Sequence, residues 1–450
     1  MTRRKIFRYL LLAFALFSVI IGFSLTRYVL AHPNDPLQQN VASWARNKGM
    51  GFVVDKLETW LHNDPPAVTA TDTLALITDD SSTMPIITTT SLAPIGEETT
   101  TTHLGKTTPA IERPIIATQS CVTPTTTSAP GAITSSTTTT TSTTTTTSTT
   151  TTTSSTVVPD ITTTTTTTLV PRPADIAPFI SPGIKAEGEW VATARVRKKP
   201  MVYVSSIRPL WCFGSVVATM ATYNPSLVHA ALFNGAEVPG GKGWKNSSKI
   251  KGKALPSLIA SFNGGFRFEH EPGGYITEGK TVQRMRKGFA TFGIRTDGSS
   301  TIGIWGKDMT DDGSWKSLRQ NLPPLVNDAK SVYANYPSVN WGEDYTNKIY
   351  NYRSAACLRT DGYIMFVAVG KVNIKMLADT LVVLGCKVGM ELDINGTWPF
   401  FATYTDFGKS DRKGRIIDTR MGDPDRHLTK ATKDFFALFD PQTLPAGAVK

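Results

Sequence analysis

From about residue 67 to residue 173 the chain is dominated by threonine and serine, with runs at 137–153 and 162–168, scattered prolines and few large apolar residues. Such a tract cannot bury enough apolar surface to offset the entropy lost on ordering its backbone. It therefore predicts a disordered linker, drawn here at 67–183, and anything with a core of its own must lie before or after it. Threonine and serine interspersed with proline read as an O-glycosylated stalk, which would hold a domain away from a membrane and across a cell wall.

Before the stalk, Arg3, Arg4, Lys5 and Arg8 precede Tyr9 to Leu25, which carries no charge and is almost wholly apolar. Residues 1–31 therefore read as a basic tip and a transmembrane signal anchor, with positive charge favouring an inside N-terminus. Everything downstream is then extracytoplasmic, on a single-pass protein of the cell membrane. A cleaved signal peptide ending near Val29-Leu30-Ala31 is the competing reading. Within 32–66, Val41, Trp44, Ala45, Val53, Leu57, Trp60 and Leu61 recur at near-helical spacing around Gly49 and Gly51. They predict a pair of amphipathic juxtamembrane helices, a packing or oligomerisation element that Pro65-Pro66 ends.

Residues 184–450 are long enough for one sizeable domain. They hold 36 Lys and Arg against 24 Asp and Glu, so the basic surplus of the chain belongs here. This charge suits a phosphate-containing polymer or an anionic envelope surface, or simply a solvated face; nucleic acid is not expected for an exported domain. Of four cysteines, Cys121 lies in the stalk, and Cys357 and Cys386 could pair if their segments are neighbours, which spacing does not decide. No metal-ligand spacing occurs and no metal site is assigned. No HExxH, GxSxG, P-loop or Rossmann GxGxxG is present, which argues against zincin, α/β-hydrolase, NTPase and dinucleotide chemistry. There is thus no cofactor motif, although a divalent cation stays compatible with the chain.

The domain reads as strands and turns. Candidate strands are 190–196, 201–206, 211–223, 227–233, 257–262, 290–295, 301–305, 354–359, 363–369 and 388–394, with Asp297-Gly298 and Asp361-Gly362 as hairpin turns. One helix is expected in 371–385, where Ile374, Leu377, Ala378, Leu381, Val382 and Leu384 make an apolar face and Gly385 a stop. After it, Val388, Met390, Leu392 and Ile394 alternate with other residue types at the period of a strand, placing Glu391 and Asp393 on one face. Two carboxylates at a strand end, before a turn at Asn395-Gly396-Thr397, suit acid/base work or cation binding; a charged strand edge is the plain alternative. Ser261-Phe262-Asn263-Gly264-Gly265 lets backbone N–H groups approach an anion, or is a plain turn. Arg353, at the start of a buried strand, needs an anionic partner, either a ligand phosphate or a structural carboxylate.

In order, Asn263-Gly-Gly-Phe266, Gly274-Tyr275 with Glu278-Gly279, Phe292 to Gly298, Arg353-Ser-Ala355, Thr360-Asp-Gly362, the 377–385 helix and Glu391-Leu-Asp393 resemble the phosphodiester glycosidase (uncovering-enzyme-like) family over about 186–439. Arg319 to Leu322, Trp341-Gly342, Trp398 and Lys433 to Phe436 are similar to membrane-anchored bacterial members. The resemblance implies an α+β fold with a mixed, twisted sheet core, and hydrolysis of a sugar-1-phosphodiester in an envelope glycan or phosphopolymer. It implies that Asp393 is the leading carboxylate, Glu391 an additional acid/base or positioning group, and Arg353 the cation facing phosphate. Substrate would be held by Asn263, Gly264 and Gly265, and across the turn by Asn395, Thr397 and Trp398. Enzymatic members read Asn-Leu-Asp-Gly-Gly-Gly-Ser where this chain has Glu391-Leu-Asp-Ile-Asn-Gly-Thr397. A non-catalytic wall-binding module is the alternative.

Overall fold

In the segment Ile364–Val372, Ile364, Phe366 and Ala368 join one hydrophobic cluster while Met365, Val367 and Val369 join another. A strand buried on both sides dictates a layered domain, because a covering layer is needed on each face. The computed structural model describes residues 18–31, 37–50, 53–54, 56–57, 64–67, 172–270, 273–342, 349–394, 396 and 398–450. Contacts divide the chain into Met1–Pro114 with Ala174–Lys450, and Ile115–Pro173. Of the second unit, only Arg172 and Pro173 are described.

Near the N-terminus residues 18–31 are helical, and α1 (Leu37–Asn47) follows, with the Trp44 indole donating to Ser24 Oγ at 3.1 Å. Among the described residues no helix is long and apolar enough to cross a membrane. The start of the expected anchor and most of the expected stalk lie outside the described residues.

The strands of the domain are β1 (Val191–Val196), β2 (Lys199–Ile207), β3 (Ala218–Tyr223), β4 (His229–Phe233), β5 (Leu258–Asn263), β6 (Tyr275–Thr277), β7 (Lys280–Gln283), β8 (Ala290–Arg295) and β9 (Ser300–Ile304). Then come β10 (Trp315–Gln320), β11 (Val326–Asn327), β12 (Lys330–Ser331), β13 (Asn351–Arg359), β14 (Ile364–Val372), α2 (Ile374–Val383), β15 (Cys386–Ile394), β16 (Phe401–Tyr404), β17 (Gly414–Ile416) and β18 (Phe435–Phe439). They form an eight-stranded sheet in the order β1-β2-β3-β14-β13-β15-β11-β12, and two five-stranded sheets, β7-β6-β10-β8-β9 and β17-β16-β5-β18-β4.

The fold is mostly sheet with few helices, consistent with the α+β class, but the sheets are not mixed. Every ladder between these strands is antiparallel. The reason is visible at α2, which carries the chain from β14 to β15 past β13; the two parallel strands are separated by an antiparallel one. Asn373 caps α2 by accepting from Met376 N, and Gly385 turns the chain at φ +80°. Leu377, Ala378 and Leu381 bury that helix against the face carrying Cys357 and Val367. The other face, with Phe366, Met390 and Leu392, shares its core with Phe262 and Phe436 of the sheet containing β5 and β18.

Both hairpin turns occur where expected. The expected strand 211–223 shortens to β3, since residues 211–217 are turns and coil. Residues 174–183, assigned to the linker by composition, are tied to the domain: Trp190 N donates to Asp175 Oδ1 at 2.8 Å and Arg208 to the Pro182 carbonyl at 3.0 Å. Cys357 and Cys386 are neighbours on β13 and β15 and form a disulfide with Cα atoms 5.6 Å apart.

Candidate active site

Strand β15 ends in a bulge. Ala355 pairs with Glu391, but the next pairing is Arg353 with Ile394, so three steps on β15 oppose two on β13. A bulge re-aims the side chains beyond it, and here it undoes the shared face expected for the two carboxylates. Ile394 joins the helix-side core with Trp341 and Phe266, and a Cβ on Gly342 would lie 2.2 Å from its Cδ1.

Glu391 lies inside the sheet layer. Its Oε1 accepts from Arg353 at 2.7 Å, and both side chains are fully buried. Arg353 also donates to the carbonyls of Trp341 at 2.7 Å and Val372 at 3.1 Å. The guanidinium expected to face a phosphate is thus consumed by a carboxylate and main-chain oxygens, and this pair sits beneath the site. Asp393 is directed elsewhere: its Oδ2 is paired with Lys433, its Oδ1 accepts from Ile394 N at 3.0 Å, and its N–H donates to the Gly264 carbonyl at 3.1 Å.

The Asn263-Gly264-Gly265 loop meets Asp393 because the glycines permit close approach. A Cβ on Gly264 would fall 2.2 Å from Asp434 Oδ2, and one on Gly265 2.8 Å from Asn321 Oδ1. The N–H groups of this loop serve the protein: Gly264 N donates to the Asp434 carbonyl at 3.0 Å and Phe266 N to Asn321 Oδ1 at 2.9 Å. Asn263 spends both amide hydrogens on Gly264 O at 2.9 Å and Ser354 Oγ at 3.0 Å, while Ser354 donates to the Asp393 carbonyl at 2.6 Å. Asn263 therefore fixes the backbone around Asp393 rather than presenting a free amide. Asn395 and Thr397 lie outside the described residues.

Lys433 and Asp434, just before β18, are the pair that sequence reasoning left without a role. Lys433 rests its ammonium 4.1 Å from the centre of the Trp398 ring, and its side chain is 11 % exposed. Burial lowers its pKa, Asp393 opposes that shift, and the nearby Arg267 charge adds to it. Asp434 is held by Arg319 Nε at 2.8 Å, and both are buried. The available signal was two opposite charges placed immediately before five apolar or small residues, Phe435 to Phe439. Each carboxylate at this end of the domain, Glu391, Asp393 and Asp434, is matched by a cation. Among the described residues no group of three or more His, Cys, Asp or Glu is arranged to hold a metal ion.

Residues 257–393 match the sequence profile of the family described as phosphodiester glycosidase. Over this stretch the chain is similar to that family. The phosphodiester glycosidase match opens just before β5 and closes on Asp393, so it spans Asn263, Arg353 and Glu391 but stops short of Trp398 and Lys433. No curated protein matches the chain. Among solved structures, the chain is similar to the catalytic domain of zebrafish N-acetylglucosamine-1-phosphodiester alpha-N-acetylglucosaminidase, auto-inhibited by its pro-peptide. That similarity is at 16% identity and a TM-score of 0.37, over 56% of this chain and 87% of that one. It is also similar to a hypothetical protein from Synechocystis, at 11% identity and a TM-score of 0.28, over 53% of this chain and 64% of that one.

Proposed function

We propose that this phosphodiester glycosidase domain cleaves the bond between a sugar and phosphate in a cell-envelope glycan or phosphopolymer, on the outer side of the membrane. The observation that carries the reading is the Asp393–Lys433 pair at the bulged end of β15, inside the family match on one side and beside Trp398 on the other. Phosphate is a good leaving group, so the demands are a cation for its charge and a carboxylate for an oxocarbenium-like state or an attacking water. The substrate phosphate takes over the ammonium of Lys433, and Asp393, so released, turns to the sugar. Glu391, Arg353 and Asn263 act as positioning residues that hold β13, β15 and the glycine loop in register. Trp398 offers an aromatic face to the sugar, and Asn395 and Thr397 are further candidates for holding it.

The extracytoplasmic placement rests on the apolar N-terminal run, the Thr/Ser tract, and the buried Cys357–Cys386 bond, since disulfides persist in oxidising compartments. The deciding experiment is sugar release from an α-N-acetylglucosaminyl phosphodiester by the full-length chain and by Asp393→Asn. Loss of about 10²- to 10⁴-fold in kcat is expected for removal of an acid/base group. Undiminished turnover by a folded Asp393→Asn protein would remove Asp393 from the chemistry. No turnover of any sugar phosphodiester, with envelope polymer still bound, would make the domain a wall-binding module.

A further inference from the structure

A second cleft, of about 450 Å³, opens beside the site and has no part in the reading above. His270, Arg286 and Lys287 line it together with the rings of Phe289 and Tyr336, and the His270 imidazole lies 3.5 Å from Glu269 Oε1. Its walls continue three segments that build the site. The glycine loop runs from Gly264 to His270; Pro323 follows Asn321, which donates to the Glu391 carbonyl at 3.0 Å; Asn340 precedes Trp341, whose carbonyl holds Arg353.

The two strong bases are placed rather than merely present. Buried Gln320 clamps the backbone of Arg286 from both sides, accepting from its N–H at 2.8 Å and donating to its carbonyl at 2.9 Å. The guanidinium then lies 4.2 Å from the centre of the Phe289 ring. Lys287 lays its methylenes into space left by Gly306, where a Cβ would come within 2.7 Å of Lys287 Cγ. Ordered side chains lose less entropy on meeting an anion than free surface lysines do. The volume falls in the range of ligand pockets, roughly 300–1,000 Å³, and two aromatic rings beside Arg286 and Lys287 match a sugar with an attached anionic group.

We infer that this cleft is a subsite for a second phosphate, one repeat away from the scissile bond, in a phosphodiester-linked glycan chain. The inference rests on the proposed cleavage for its register along the polymer, but its binding chemistry stands alone. It makes the enzyme one that reads a polymer rather than a single linkage.

The test uses the full-length chain and the double variant Arg286→Ser/Lys287→Ser, with Lys242→Ser/Lys245→Ser removing the same charge from another exposed loop. Tripolyphosphate is titrated calorimetrically at low salt, and sugar release is compared between a substrate with one phosphate and an oligomer with several. The Arg286/Lys287 variant should bind tripolyphosphate about tenfold or more weakly. It should lose a similar factor in kcat/KM on the oligomer and keep its rate on the single-phosphate substrate. Equal losses in the Lys242/Lys245 control, unchanged binding in the Arg286/Lys287 variant, or no tripolyphosphate binding by the parent chain would each overturn the subsite. Binding that depends on Arg286 and Lys287 in a protein that hydrolyses nothing would uphold the subsite and reject the proposed cleavage instead.

Discussion

Lys433 holds the carboxylate of Asp393 from one side while its ammonium lies on the face of Trp398, so this carboxylate is met by a cation that is itself nearly buried. On the proposed function, the phosphate of an incoming substrate competes with Asp393 for that ammonium. Replacing Lys433 with Met should raise KM for a phosphodiester by about tenfold while kcat falls less, because the loss is in anion binding. Steady-state kinetics check this split; an unchanged KM would show that phosphate is received elsewhere.

The Arg353–Glu391 pair makes a different demand. Both groups are fully buried, so removing one leaves an unmatched charge in the sheet. Glu391→Leu alone should cost about 3–5 kcal/mol, and Arg353→Met/Glu391→Leu together much less. Chemical denaturation of the three proteins measures the difference. A single variant as stable as the double one would mean that the pair is not the structural unit drawn here.

Acid should weaken the fold through its histidines. Burial, with the charge of Lys316 behind it, lowers the pKa of His229 to about 4, and burial lowers that of His427 as well. In the unfolded chain each imidazole titrates near ~6.5. The unfolded state therefore takes up protons that the folded state refuses, and stability, full above about pH 6.5, falls as the pH is lowered towards 4. In His229→Gln the decline should be shallower without vanishing, because His427 still contributes. Melting temperatures between pH 7 and pH 4 (roughly the two titration limits) read it directly, and an unaltered slope would exclude His229 as a source.

Much of the fold is legible as pattern. Val388, Met390 and Leu392 alternate into one core, the two Asp-Gly turns mark hairpins, and the apolar face of α2 packs as its spacing requires. What escapes is local irregularity and long-range pairing. The β15 bulge breaks a period of two within a single step, which no count of alternating residues can register. Strand β10 carries Lys316, Arg319 and Gln320 and so lacks a strand pattern; Arg319 can be buried there only because Asp434, 115 residues away, meets it. Lys433 is unreadable for the same reason, since its partner is 40 residues distant. The Cys357–Cys386 bond was an open option until β13 and β15 were neighbours.

The tight seat of Gly264 against Asp434 bears on how the proposed enzyme could be given a new substrate. Any side chain at 264 would strike the carboxylate that neutralises Arg319, so a change there unsettles the domain before it reshapes the site. Trp398 carries no such tie: its half-buried ring meets the Lys433 ammonium at 4.1 Å and the Arg426 guanidinium at 5.7 Å. A mutational library meant to redirect specificity should leave 263–265 untouched and sample the turn after Asp393, where novelty is cheapest to try.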